Sequence, residues 1–234
     1  MMVFGLFIIL GLLNLVEATT TISRRAGYSI RNPASGLIFQ SSLSLVSRAL
    51  IFMFMPVLGI LSDNNNILSN YSSVLIYYLC IPVFLIFAYL LRFKIENIFG
   101  NILLNLNDYG TYFKITKNKF LIEKTNSKLK IKKFYSFYFL VLIAYIPYYI
   151  SWPVIIIMLD KYNESRGFIL GLSSVFNGLN TIAISIWIDP MLVKMGMHRN
   201  LILRTYSDLL IVRVLSSIIA FLILILVIIL LNEI

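Results

Sequence analysis

The chain divides into long apolar runs separated by short polar segments, and the runs dominate it. Stretches rich in Leu, Ile, Val and Phe extend over roughly 3–22, 34–61, 74–91, 134–158, 167–189 and 206–231. Each is at or above the ~18–20 residues that a helix needs to cross a hydrocarbon core of about 30 Å. None alternates with period 2, so the pattern predicts helices and excludes a closed barrel. Asn32–Pro33 marks the first boundary, because proline disfavours helix in the residue before it and suits a helix start. Ser62, Asp63 and Asn64–Asn66 predict a polar turn after the second run, and Lys161–Ser165 predict another after the fourth. The expected fold is an all-α polytopic membrane protein, a bundle of about six transmembrane helices, forming one integral membrane domain over residues 1–234.

Composition sharpens this expectation. Of the 234 residues 59% are hydrophobic and 13% charged, about half the charge of an ordinary soluble domain. Backbone polar groups inside lipid must be satisfied within the chain, which again selects helices. Residues 3–21 lack a basic flank and a small-residue cleavage site, so they read as a retained helix rather than a signal peptide. Cys80 is the sole cysteine and can form no internal disulfide.

The net charge of +10 is distributed by loop. Arg24, Arg25 and Arg31 flank the first loop, and Lys194, Arg199 and Arg204 the fifth. The third, about 92–133, carries ten Lys or Arg against Glu96, Asp108 and Glu123. The second holds Asp63, and the fourth balances Asp160 and Glu164 against Lys161 and Arg166. Basic and neutral loops therefore alternate. By the positive-inside rule the odd loops, including the basic loop 92–133, are cytoplasmic and both termini lie outside. The charge then serves topology, and nucleic acid is not an expected partner. Ile95, Ile98, Phe99, Ile102, Leu103 and Leu106 recur at helical spacing, which suggests either a surface-lying helix ahead of a polybasic segment or a solvated connector.

Polar groups at membrane depth are costly and usually face the bundle interior, so they mark candidate function. The first run carries Asn14, Glu17, Thr21, Arg24 and Arg25 at three- and four-residue steps, which predicts a shared face. The second carries Gln40, Ser41, Ser44, Ser47 and Arg48, with Arg48 near the middle. The fifth carries Ser173, Asn177, Thr181, Ser185 and Asp189 in steps of four, and the sixth Asp208, Arg213, Ser216 and Ser217. The third and fourth runs hold no charge at depth. Runs one, two, five and six are therefore expected to line a polar cavity, with three and four outside it. The plainer reading is that hydroxyl stripes tie helices together at about 0.6 kcal/mol per contact and that Arg48 joins an internal ion pair. Against it, the stripes hold more arginines than carboxylates, and arginine's planar fork suits phosphate. No phosphate-binding glycine loop is present, His198 is alone, and no paired His/Cys spacing suggests a metal. No cofactor is expected, and an enzyme is disfavoured.

Three stretches carry a family resemblance. Glu17 through Leu61 reads E-A-T-T-T-I-S-R-R-A-G-Y-S-I-R, then L-V-S-R-A-L before P-V-L-G. Arg166 through Pro190 contains S-S-V-F-N-G-L-N-T-I-A and I-W-I-D-P, and the last run contains D-L-L-I-V-R-V-L. Together they resemble the alternate lipid II flippase (Amj) family over somewhat under half of the chain. The matching positions are Glu17, Arg24, Arg25, Gly27, Ser47, Arg48, Asn177, Gly178, Asp189, Pro190, Asp208 and Arg213. The segment from about 94 to 133 and the fourth run carry no part of that pattern. The resemblance implies a bacterial cytoplasmic-membrane protein that moves lipid II, an undecaprenyl-pyrophosphate-linked peptidoglycan precursor, to the outer leaflet. Its partners would be that precursor and the surrounding membrane lipids. The expected binding residues are Arg24, Arg25, Arg48, Arg213, Glu17, Asn177 and Asp189, with the two carboxylates pairing the arginines in the empty state. The alternatives are a carrier for another anionic or polyprenyl-linked substrate and a non-transporting scaffold for cell-wall synthesis.

Overall fold

A computed structural model describes residues 2–63, 71–112, 120 and 135–232. Among the described residues every regular element is helical. They are α1 (Met2–Ser29), α2 (Pro33–Asp63), α3 (Ser72–Tyr78), α4 (Cys80–Tyr109), α5 (Tyr135–Lys161), α6 (Arg166–Ala183), α7 (Asp189–Gly196) and α8 (Arg199–Asn232). A π-helical segment, Ile184–Ile188, joins α6 to α7, and a single 3-10 turn, Asn163–Ser165, precedes α6. Taken as continuous rods, these make six helices long and apolar enough to cross a membrane. The protein is thus an all-α polytopic bundle.

The helices outrun the apolar stretches that announce them. α1 continues to Ser29 rather than ending near 22, and α4 continues to Tyr109 rather than 91. Hydropathy marks where lipid begins, but Arg, Lys and Glu are good helix formers, so the backbone carries on past the apolar run. Residues 95–106 are accordingly the end of α4, not a separate surface helix and not a loop. The lysine-rich remainder of the expected loop lies outside the described residues, as do Asn64–Asn66. The third span breaks at Leu79 between α3 and α4, where Pro82 withholds an N–H and its ring crowds the Tyr78 carbonyl.

The tight turn between α1 and α2 is built from local chemistry. Arg31 takes a left-handed backbone (φ 61°), its N–H bonds to the Tyr28 carbonyl at 3.2 Å, and the Asn32 N–H reaches Gly27 at 2.9 Å. This double bond pattern closes a helix C-terminus. The Asn32 side chain then accepts from the Ser35 N–H at 3.3 Å, capping α2 with Pro33 in its first turn. Gly27 and Gly36 face each other so closely that a Cβ on Gly27 would stand 2.7 Å from the Gly36 Cα. Arg199 donates to the Tyr28 and Ser29 carbonyls at 3.2 and 2.7 Å, holding the start of α8 on the same turn.

Packing sorts the helices into two sequential halves. α1 packs on α2 and α4, α5 packs on α6 and α8, and α8 joins the halves by lying on α1 and α4. α2 and α6 are not a packed pair, although Arg166 of α6 reaches Asp63 of α2 at one end. Burial follows: 61% of an apolar 18-residue stretch of α5 is inside the bundle, against 17% for the corresponding stretches of α2 and of the α6–α7 span. Two of the helices that carry polar stripes are thus the least covered, and a gap runs between them.

Candidate functional site

Between the halves lies a cavity of about 440 Å³. α1 lines it with Glu17, Thr20, Thr21 and Arg24, and α2 with Gln40, Ser44, Ser47 and Arg48. The second half contributes Tyr145, Tyr148 and Trp152 from α5, Asn177, Asn180 and Thr181 from α6, Ser185 from the π segment, Asp189 from α7, and Tyr206 and Arg213 from α8. Arg48, Thr181 and Ser185 line it while exposed on the outside of the bundle. The cavity therefore opens sideways, through the gap between α2 and α6.

Two ion pairs cross it at different depths. Nearer the end that carries the α1–α2 turn, the Arg24 guanidinium forks onto Asp189, Nη1 to Oδ1 at 2.5 Å and Nη2 to Oδ2 at 3.3 Å. The Arg24 Nε–H donates to Gln40 Oε1, so one side chain ties α1, α2 and α7 together. Deeper in, Arg213 donates from Nε to the Tyr149 hydroxyl at 2.9 Å and from Nη1 to the Glu17 backbone carbonyl at 2.8 Å. Its guanidinium lies 4.6 Å from the Tyr145 ring centroid. Its Nη2 stands 3.6 Å from Glu17 Oε2, an ion pair beyond hydrogen-bond reach. Glu17 and Arg24 are seven residues apart on α1, so the two levels differ in depth by roughly 10 Å.

Arg48 is different. Among the described residues it has neither an ion pair nor a hydrogen bond, and it stands exposed at the middle of α2. A guanidinium is never neutral in a protein, so this position holds an uncompensated positive charge on the cavity wall. Four further polar atoms of lining residues are buried without a hydrogen-bond partner in the protein: Ser47 Oγ, Asn177 Oδ1, Asn180 Oδ1 and Arg213 Nη2. Such orphans cost about 1–3 kcal/mol each unless something meets them. Of the stripe hydroxyls, Ser216 reaches across to the Leu142 carbonyl of α5 at 3.2 Å, but those of the cavity wall mostly do not tie helices together. Ser41, Ser44, Thr20 and Thr181 donate back to carbonyls of their own helices.

Asp189 reaches this site through a local irregularity. Residues spaced by four drift about 40° per step around an α-helix, so a long stripe of that spacing would wind away from the cavity. The π segment Ile184–Ile188 holds more residues per turn and brings Ser185 and Asp189 back. Pro190, which can donate no hydrogen bond four residues back, suits a π turn at this place.

The expected site residues are placed unequally. Glu17, Arg24, Arg48, Asn177, Asp189 and Arg213 all line the cavity. Arg25 does not. Adjacent residues on a helix point about 100° apart, and Arg25 turns away into the bundle, where it pairs with the fully buried Glu96 and donates from Nε to the Leu203 carbonyl at 2.9 Å. Ser29 supplies Glu96 with a further hydrogen bond at 2.8 Å. Arg24 and Arg25 thus do not share a face, and Glu96 belongs to the core rather than to a solvated loop. Asp208 also stands apart, accepting from the Tyr138 hydroxyl at 3.0 Å with Arg204 at 3.9 Å.

The fourth span, expected outside the cavity, forms one of its walls. Hydropathy counts tyrosine as apolar, yet each ring carries a polar tip. Tyr145, Tyr148 and Trp152 at steps of three and four share a face of α5, a signal present in the sequence that charge counting passes over. Span three stays outside the cavity. Among the described residues no three His, Cys, Asp or Glu gather in a way that could hold a metal ion.

No protein-family model matches the chain, and neither a curated protein nor a solved structure is detectably similar to it.

Proposed function

We propose that the protein is a lipid flippase, carrying a polyprenyl-pyrophosphate headgroup such as that of lipid II from the cytoplasmic to the outer leaflet of a bacterial cytoplasmic membrane. One observation carries this reading: an uncompensated arginine, Arg48, at mid-helix on the wall of a polar cavity that opens sideways between α2 and α6. Sugars and phosphates cannot cross hydrocarbon unpaired, while a prenyl tail belongs there. A lateral gap meets both needs, with the headgroup inside and the tail left in lipid. An aqueous-only carrier has no use for such an opening.

In this reading Arg24, at the level nearer the basic loops, meets the pyrophosphate first. Arg48 and Arg213 hold it at depth, and the orphaned Ser47, Asn177 and Asn180 atoms meet sugar hydroxyls. Glu17 and Asp189 keep the arginines oriented while the site is empty. A 440 Å³ cavity is of ligand-pocket size; it takes a pyrophosphate and a sugar ring, and the rest of the headgroup stays at the gap. Movement of α1–α4 against α5–α8 then re-exposes the site, as in carriers that rock one half against the other. The direction of transport and the cytoplasmic placement of the basic loops rest on the charge asymmetry of the loops.

The test is complementation of a bacterial strain depleted of its own lipid II flippase, with leaflet-resolved labelling of lipid II. Wild-type protein restores growth and outer-leaflet lipid II, and Arg48→Ala inserts normally but restores neither. Normal growth of the Arg48→Ala strain sinks the proposal.

A further inference from the structure

Resting on that reading, we infer that the headgroup travels with a proton: binding of a pyrophosphate diester in the cavity drives uptake of one H⁺ by Glu17. The argument begins with charge. Three guanidiniums, Arg24, Arg48 and Arg213, face two carboxylates, Glu17 and Asp189, leaving one net positive charge. A pyrophosphate diester carries one negative charge on each phosphorus, so the filled site is overcharged by one anion. One added proton makes it neutral, the state that crosses a low-dielectric barrier at least cost.

Geometry selects which carboxylate accepts it. Asp189 is engaged by both nitrogens of the Arg24 fork. Glu17 has no such grip: its Oε2 stands 3.6 Å from Arg213 Nη2. That Nη2 is the orphan of its guanidinium, since Nε and Nη1 are committed to Tyr149 and to the Glu17 backbone. A phosphate oxygen that bonds to Nη2 therefore arrives against the Glu17 carboxylate. Two anions sharing one cation at short range cannot both stay charged, and the weaker acid takes the proton. Protonated, Glu17 changes from a repelling acceptor to a donor for that oxygen. The proton comes from water and returns to water on release; no bond in the ligand breaks.

The surroundings of Glu17 favour this exchange. From α5 it meets the hydroxyl groups of Tyr145, Tyr148 and Tyr149, from α8 Arg213, and across the cavity Arg48 of α2 and Asp189 of α7. On α1 itself, Arg24 is about two turns away. Of the ionisable groups of α4, Arg92 and Glu96 gather around Arg25, Lys94 and Asp108 do not line the cavity, and Tyr78 of α3 is bonded to the Ser217 carbonyl. Among the described residues no second cation is ion-paired with Glu17 once the ligand occupies Arg213.

The experiment is calorimetric titration of the full-length protein in lipid nanodiscs with a short-chain prenyl-pyrophosphoryl-N-acetylglucosamine. The ligand's own charge is constant near neutral pH. Titrations in buffers of differing ionisation heat give the protons bound per ligand. Wild-type protein is expected to take up roughly one, with affinity falling about tenfold per pH unit above neutrality. Glu17→Gln abolishes the uptake and flattens the pH dependence. If Glu17→Gln does not fold, the wild-type proton count and a protonated-carboxyl infrared band that appears on binding still decide whether a proton is coupled. Binding without proton uptake overturns the coupling and leaves the flippase reading standing. Uptake that survives in Glu17→Gln overturns the assignment to Glu17. Failure of the wild type to bind overturns the flippase reading itself.

Discussion

Arg24 of α1 and Asp189 of α7 are joined by a two-pronged contact, 2.5 Å and 3.3 Å between paired nitrogen and oxygen atoms, that bridges the two halves of the bundle at one end of the cavity. The Arg213–Glu17 pair bridges them at mid-depth, and Arg166 reaches Asp63 at 3.5 Å near the opposite end. All three pairs run from the first half to the second. Ion pairs across a seam lose their hold when either charge is neutralised or displaced, which suits the parting of the halves in the proposed function.

Neutralising Asp189 is therefore expected to free Arg24 for an anion while loosening the seam. Asp189→Asn should bind a pyrophosphate diester several-fold more tightly at low salt, and its thermal unfolding midpoint should fall by a few degrees, a loss of about 1–2 kcal/mol. Calorimetry and thermal unfolding in the same detergent measure both. Weaker binding in this variant would mean that Asp189 does not compete for Arg24.

Arg25 and Glu96 make the opposite kind of pair, buried and within one half. Arg25→Ala leaves a carboxylate stranded in the core, at a cost of about 3–5 kcal/mol. Loss of folded protein by fluorescence-detected gel filtration is the expected result. The double variant Arg25→Met/Glu96→Leu removes both charges and should recover much of the folded yield. Arg48→Ala, by contrast, should leave yield unchanged. Equal effects of Arg25→Ala and Arg48→Ala on yield would contradict the division into structural and cavity arginines.

Gly27 and Gly36 test the close approach of α1 and α2. A methyl group at Gly27 meets backbone, not a movable side chain, so the helices must separate. Gly27→Ala is expected to cost about 1–3 kcal/mol, and Gly59→Ala, which has open space at its Cβ, close to nothing. Paired thermal melts decide the matter, and similar midpoints for the two variants would refute the crossing.

Water access separates cavity from lipid face. In a Cys80→Ser background, cysteines at Ser44, Thr181 and Ser185 should react with a membrane-impermeant thiol reagent. Cysteines at Phe52 and Ile186, exposed on the same helices but not lining the cavity, should not. Reaction in inverted vesicles but not in intact cells would show that the cavity opens to the cytoplasmic side. Uniform protection of all five positions would exclude a wet cavity.

Much of this architecture is written in residue order alone. Runs of Leu, Ile, Val and Phe long enough to cross lipid dictate six helices, because backbone polar groups there have no other partner. The stripes through Arg48 and through Asn177 to Asp189 are equally legible, since period and polarity are local properties. The groups that a stripe meets in space are set by distant parts of the chain. Whether Arg24 or its neighbour Arg25 enters the cavity depends on which rotation of α1 its packing partners stabilise. Glu96 looks like a loop residue until α4 is laid on α1. The tyrosines of α5 become a polar wall only when Arg213 and Glu17 face them, and Asp189 meets Arg24 only through a π turn that no hydrophobic period announces. Sequence determined how many helices form and which faces are polar; packing, which couples residues far apart in the chain, decided which of those faces meet.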